Sequence, residues 1–212
     1  MPIHVFFDNS NIWGGAQCVR NLTEPGVPWP ALRVYYKNLF ALIEGGREAT
    51  TKVLAGSVPP SCEALWEYAR DHGYDTDLLY RVERDDGSIG EQGVDEVLHM
   101  KIANAILDHA APQTLVVATG DGKLSEFGTG FPTQIERALK HGWEAELWSW
   151  GLTLKENRYR KLEADSGGAF KIKLLDPNYL SLTFVKGGQY YERDAAGAKS
   201  FFTVPERIVE KL

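Results

Sequence analysis

Two short runs, Val5-Phe6-Phe7 and Leu115-Val116-Val117-Ala118, are apolar at every position. A strand with one wet face alternates polar and apolar residues, so a run without alternation reads as a strand covered on both faces. The fold class that meets this demand is α/β, a mostly parallel sheet with helices on either side. Both runs also end abruptly in polar residues: "HVFFDNSNIWGG" in Asp8, Asn9 and Asn11, and "LVVATGDG" in Asp121. An ionised carboxylate at the end of a buried strand is costly unless something compensates it. What compensates Asp8 is therefore the question on which function turns.

The remaining segments alternate strand-like and helix-like patterns. The spacing predicts a Gly/Pro-rich loop from Asp8 to about residue 30, then a helix over 31–44 stopped by Gly45-Gly46. A strand over 51–57 precedes the helix "CEALWEYARDH", with Ser61 as its cap and Gly73 at its end. An edge strand is expected over 74–80, a polar loop over 81–93, and an amphipathic helix in "VDEVLHMKIANAILDH". A helix from about Ser125 to His141 follows the apolar strand, then a strand over 143–150 and a half-exposed edge strand over 170–175. The pattern weakens after Asp176, which divides the chain into a domain over 1–176 and an extension over 177–212. In that extension "LTFVKGG" and "AKSFFTV" are candidate strands.

Composition narrows the function classes. A formal charge of −6 argues against generic polyanion binding, so nucleic acid would need a local basic patch or a metal. Candidate patches are "YRVER" (Arg81, Arg84) and "KENRYRK" (Lys155, Arg158, Arg160, Lys161), the latter interleaved with Tyr159 for stacking. Trp13 and Trp29 flank the expected cleft, with Trp13 a candidate base-stacking residue. Two cysteines imply no disulfide framework and suit an intracellular compartment, cytoplasm or nucleus. The five histidines show no zinc spacing among themselves or with the cysteines. No apolar run approaches membrane-helix length, the N-terminus lacks a signal-peptide pattern, and "GGAQCVR" lacks the lysine of a phosphate loop.

In a parallel sheet, strand ends and following helix starts share one edge, where ligand sites gather. Asp8 and Asp121 follow strands there, and Asp95 opens the helix that leads into the second of them. Two carboxylates about 4 Å apart repel by roughly 4 kcal/mol at an effective dielectric of about 20. Three such groups either hold protons or bind a cation, and a hard ion such as Mg²⁺ or Mn²⁺ suits an all-oxygen set. Asn9 and Asn11 add polar contacts for a carboxylate or a substrate phosphate without adding charge. Each acid also has a structural role open to it: Asp8 as a helix or turn cap, Asp95 against a helix dipole, Asp121 in a turn.

Taken together, "VFFDNSNI", "GVDEVLHMKIANAI" and "LVVATGDG" resemble the NYN domains of the PIN-like nuclease superfamily, over residues 3 to about 150. The resemblance implies a three-layer α/β/α sandwich and cleavage of RNA assisted by Mg²⁺ or Mn²⁺. It makes Asp8, Asp95 and Asp121 the metal-binding, catalytic acids and Asn11 the residue that positions a ligand or the scissile phosphate. Asn9, Lys123, Arg158, Arg160 and Lys161 are then candidate substrate contacts. Family members commonly carry a further acid where this chain has Lys123, and Glu126 is the candidate replacement. Lys123 therefore also admits a second reading, an NYN-fold RNA-binding or scaffolding module with impaired catalysis. A phosphotransferase of the haloacid dehalogenase type would need an aspartate two positions after Asp8, where Ser10 stands.

Overall fold

The computed structural model describes residues 1–57, 63–79, 82–83, 89–90, 93–121, 129–193 and 197–212 of the chain. Its elements are β1 (Ile3–Asp8), α1 (Asn9–Thr23), β2 (Leu32–Val34), α2 (Tyr36–Glu44), β3 (Ala49–Ser57), α3 (Glu63–Asp71) and β4 (Asp75–Leu79). Two-residue strands β5 (Val82–Glu83) and β6 (Ile89–Gly90) precede α4 (Val94–Asp108), β7 (Thr114–Ala118), α5 (Phe131–Lys140), β8 (Glu144–Ser149), α6 (Glu156–Asp165) and β9 (Phe170–Leu174). The chain then runs through a 3₁₀ turn (Asp176–Asn178), α7 (Tyr179–Leu182), β10 (Thr183–Val185), β11 (Gly188–Arg193) and β12 (Lys199–Val204).

Six strands form one sheet in the order β4-β3-β1-β7-β8-β9, with every neighbouring pair parallel. β4 and β9 are its edges, as their mixed sequences imply. Every residue of β1 is buried, and its side chains divide between two cores by simple alternation. Ile3, Val5 and Phe7 pack with Ile12 and Ala16 of α1, Leu39 and Ile43 of α2 and Trp66 of α3. Phe6 packs on the opposite face with Leu98 and Ile102 of α4, Ile135 of α5 and Tyr159 of α6. This is the α/β/α sandwich that the doubly apolar strands require.

Three local expectations are corrected. Residues 9–23 form a helix, not a loop: Asp8 caps it, and Ile12, Gly15, Ala16 and Val19 make its buried stripe. Gly15 serves close packing here, since a Cβ at that position would lie 2.4 Å from Cδ1 of Trp150. The helix expected over 31–44 begins only at Tyr36, because residues 32–34 pair antiparallel with β10. Among the described residues, the helix expected from Ser125 begins at Phe131, after Thr129 and Gly130; residues 122–128, like Ser61, lie outside the described residues.

The segment after Asp176 closes over the α1–α2 side. Tyr179, Leu182, Val185 and Val204 belong to the same core as Ile3 and Phe7. β11 pairs with β12 as a hairpin, and the Arg207 guanidinium donates to both carboxylate oxygens of Glu24, at 2.8 and 2.9 Å. Burial alone would raise the Glu24 pKa, but the Arg207 and Tyr179 hydrogen bonds outweigh it and hold it below the usual carboxylate range. No helix among the described residues is long and apolar enough to cross a membrane.

Candidate functional site

Counting only the strands of the large sheet in chain order, their spatial order is 3-2-1-4-5-6. The chain leaves β1 toward one edge and returns to build β7, β8 and β9 toward the other, so the crevice beyond β1 and β7 is the switch point of the fold. Asp8 ends β1, Thr119-Gly120-Asp121 follow β7, and Asp95 lies in the first turn of α4.

Asp8 is 4% exposed and is compensated within the protein. One carboxylate oxygen accepts the Asn11 backbone N–H at 3.0 Å, which makes Asp8 the N-cap of α1, and the other accepts the Thr119 hydroxyl at 2.9 Å. The partial positive charge at the start of α1 adds to this. The Thr119 oxygen in turn accepts the Asp121 N–H at 3.2 Å, so one buried hydroxyl joins the two strand ends. Asn11 crosses the same gap, its Oδ1 accepting the Gly120 N–H at 2.7 Å. Gly120 must be glycine: a Cβ there would lie 2.9 Å from Asn11 Oδ1, 3.0 Å from Ser149 Oγ and 3.0 Å from the Thr153 carbonyl oxygen.

Tyr159 is the side chain on which the charges of all three acids act. It is fully buried, and its hydroxyl donates to the Asp121 carbonyl oxygen. Burial first, then the charges of Asp121, Asp8 and Asp95, push its pKa above the ordinary phenol range, with Arg158 opposing. The charges of all three acids therefore reach one hydroxyl, although no three His, Cys, Asp or Glu groups among the described residues stand close enough to hold an ion as they are. A hydrated Mg²⁺ needs no such cage, since it keeps several waters and uses one or two carboxylates.

The substrate candidates divide. Asn9 turns away from the crevice: its Oδ1 accepts the Tyr36 hydroxyl at 2.5 Å, and it packs against Gly56. Arg158 donates to Glu136 of α5 at 3.2 Å and Arg160 to Glu163 of its own helix at 3.2 Å, while Lys155 and Lys161 are exposed. The stacking role expected of Tyr159 is overturned, because its ring belongs to the core and only its hydroxyl reaches the site. Trp13 and Trp29 are exposed and meet edge to face at 6.1 Å. Lys123, Glu126, Arg81 and Arg84 lie outside the described residues.

Sequence reasoning missed Thr119, the Tyr159 hydroxyl and His99. His99 lies on the buried face of α4, and both its ring nitrogens lack a hydrogen-bond partner among the described residues. Matching histidines only with one another and with cysteines hides its spacing of four residues from Asp95, which is one helical turn.

No family profile matches the chain, and no curated protein matches it. The fold is similar to a crystal structure titled as a protein of unknown function from Vibrio parahaemolyticus, with a TM-score of 0.56 at 12% identity. The match covers 82% of this chain and 94% of that one and concerns the fold alone.

Proposed function

We propose that this chain is a divalent-metal-dependent ribonuclease of the PIN-like NYN type, hydrolysing RNA phosphodiester bonds in the crevice between β1, α4 and β7. The observation that carries the reading is the placement of Asp8 at the end of β1, Asp121 just beyond β7 and Asp95 in the first turn of α4, at the switch point of a parallel sheet. The buried His99 nitrogens, which have no hydrogen-bond partner among the described residues and feel the charge of Asp121, add ligand capacity that the packing does not use. This donor set fits Mg²⁺ or Mn²⁺, held by Asp95 and Asp121 with Asp8 fixing the backbone of the pocket. Such an ion would activate water and neutralise charge on the phosphate in the transition state.

The protein's own groups do the rest. Thr119 and Asn11 hold the two strand ends at a fixed separation, so Asp121 needs no rearrangement of β7 to meet substrate. Lys155 and Lys161 supply exposed cations for the RNA backbone, and the Trp13–Trp29 pair offers faces on which an unpaired base can stack. A second reading, an RNA-binding or scaffolding module without cleavage, is favoured by one observation: both oxygens of Asp8 are already engaged inside the protein.

The deciding experiment incubates the purified protein and Mn²⁺ with single-stranded and structured RNA, alongside calorimetric titration of Mn²⁺ alone. Cleavage should fall about a hundredfold or more in Asp121→Asn, a loss of roughly 3 kcal/mol of transition-state stabilisation. Asp8→Asn should also lose activity yet keep its fold, since asparagine caps helices about as well as aspartate. RNA bound but uncut by a well-folded protein would select the second reading. Absence of both cutting and Mn²⁺ binding would sink the metal-dependent one.

A further inference from the structure

The buried face of α4 carries one side chain that packing does not account for. His99 is 9% exposed, its ring meets Phe131 at a centroid distance of 4.6 Å, and among the described residues neither ring nitrogen has a hydrogen-bond partner. Leucine or methionine would fill this position without leaving two polar atoms out of water unmet. The setting is not indifferent, however. Asp95 precedes His99 by one turn on α4, and the carboxylates of Glu96 and Asp121 both act on the imidazole. Burial outweighs those charges and holds the ring pKa below its ordinary value.

We propose that His99 is a nitrogen ligand for the cation of this site, forming a mixed set with Asp95 and Asp121 that favours a first-row transition ion over Mg²⁺. The inference rests on the reading that the crevice binds a divalent ion, and it deepens that reading by naming the class of ion. Mg²⁺ prefers oxygen ligands and its own waters, whereas imidazole adds affinity for transition ions. One helix offering ligands four residues apart to a single ion is an efficient arrangement, because both side chains rise from one face. Among the described residues the set is not preassembled, so its three side chains must close on the ion as it binds.

The test is binding without RNA. Mn²⁺ and Mg²⁺ are titrated separately into the wild-type protein and into His99→Leu, and pulsed electron paramagnetic resonance is recorded on the Mn²⁺-loaded wild type. The expected results are nitrogen coupling to bound Mn²⁺ and, in His99→Leu, a loss of about tenfold or more in Mn²⁺ affinity. Mg²⁺ affinity should stay within about twofold, since its oxygen ligands are untouched. The metal-free variant should melt about 2–4 °C higher, because two unmet polar atoms are gone. Wild type that binds Mn²⁺ without nitrogen coupling overturns this inference and leaves the nuclease reading standing. Wild type that binds neither ion overturns both. The spectroscopic arm needs no variant, so misfolding of His99→Leu leaves the proposal decidable.

Discussion

Two histidines of this protein are nearly sealed from water, and they lie toward opposite ends of the same sheet. His4, early in β1, is fully buried and has both nitrogens engaged, Nδ1 with Thr51 Oγ1 at 2.9 Å and Nε2 with Gln113 Oε1 at 3.3 Å. Gln113 commits its amino group to the Ala110 carbonyl, so its oxygen faces His4 and Nε2 carries the ring proton. The rings of His109 and Trp143 close over it at 4.7 and 4.8 Å. His99 is almost as deeply placed and has neither nitrogen engaged among the described residues. Burial is common to both, so burial does not mark a functional side chain. The unmet hydrogen-bonding capacity at His99, beside carboxylates instead of neutral partners, sets the two ends of the sheet apart.

That contrast breaks most readily at His4. His4→Ala removes a packed ring and two hydrogen bonds, and it should cost about 2–4 kcal/mol of unfolding free energy in a urea titration. A loss under about 1 kcal/mol would mean that the His4 end is no better satisfied than the His99 end, and the comparison would collapse. Thr119→Val probes the other end with a shape-conserving change. It deletes the hydroxyl that donates to Asp8 and accepts from Asp121 N–H, leaving an oxygen of a buried carboxylate short of a donor. The expected cost is about 1–3 kcal/mol. An unchanged stability would show that water or a cation can take over the Thr119 contact to Asp8.

The elements and the site were legible in the sequence to different depths, and the differences have physical causes. The central strands were readable because burial on both faces favours unbroken apolar runs, Val5–Phe7 in β1 and Leu115–Ala118 in β7. α1 was hidden by Gly14-Gly15, which looks like a turn locally, although Gly15 answers to Trp150, a residue far along the chain. β2 was hidden for the same kind of reason: its pairing partner is β10, and no window around Leu32 contains that information. The structural role offered for Asp8, a helix cap, was visible in the Asp8-to-Asn11 spacing, and the structure adopts it. Thr119 and the Tyr159 hydroxyl could not be read, because their importance lies in which atoms they bridge. His99 could have been found by pairing each histidine with carboxylates one helical turn away.

The smallest expected effect sharpens the comparison through pH. Burial lowers the pKa of both His4 and His99 below the ordinary value near 6.5, so each favours its neutral form more in the folded metal-free protein than in the unfolded chain. The unfolded chain therefore binds more protons than the folded one once the pH drops below about 6.5, and stability falls as the pH falls. Each such histidine contributes at most about 1.4 kcal/mol per pH unit, between the unfolded pKa and its own lowered one. Glu24 and Glu146, both held low by arginine or lysine partners, add their losses only below about pH 4.5, so the windows separate. Urea titrations at pH 7.5, 6.5 and 5.5 should show His99→Leu losing less stability with acid than wild type, while Thr119→Val parallels wild type. A His99→Leu profile parallel to wild type would place that imidazole in contact with water, and the two histidines would then differ in burial after all.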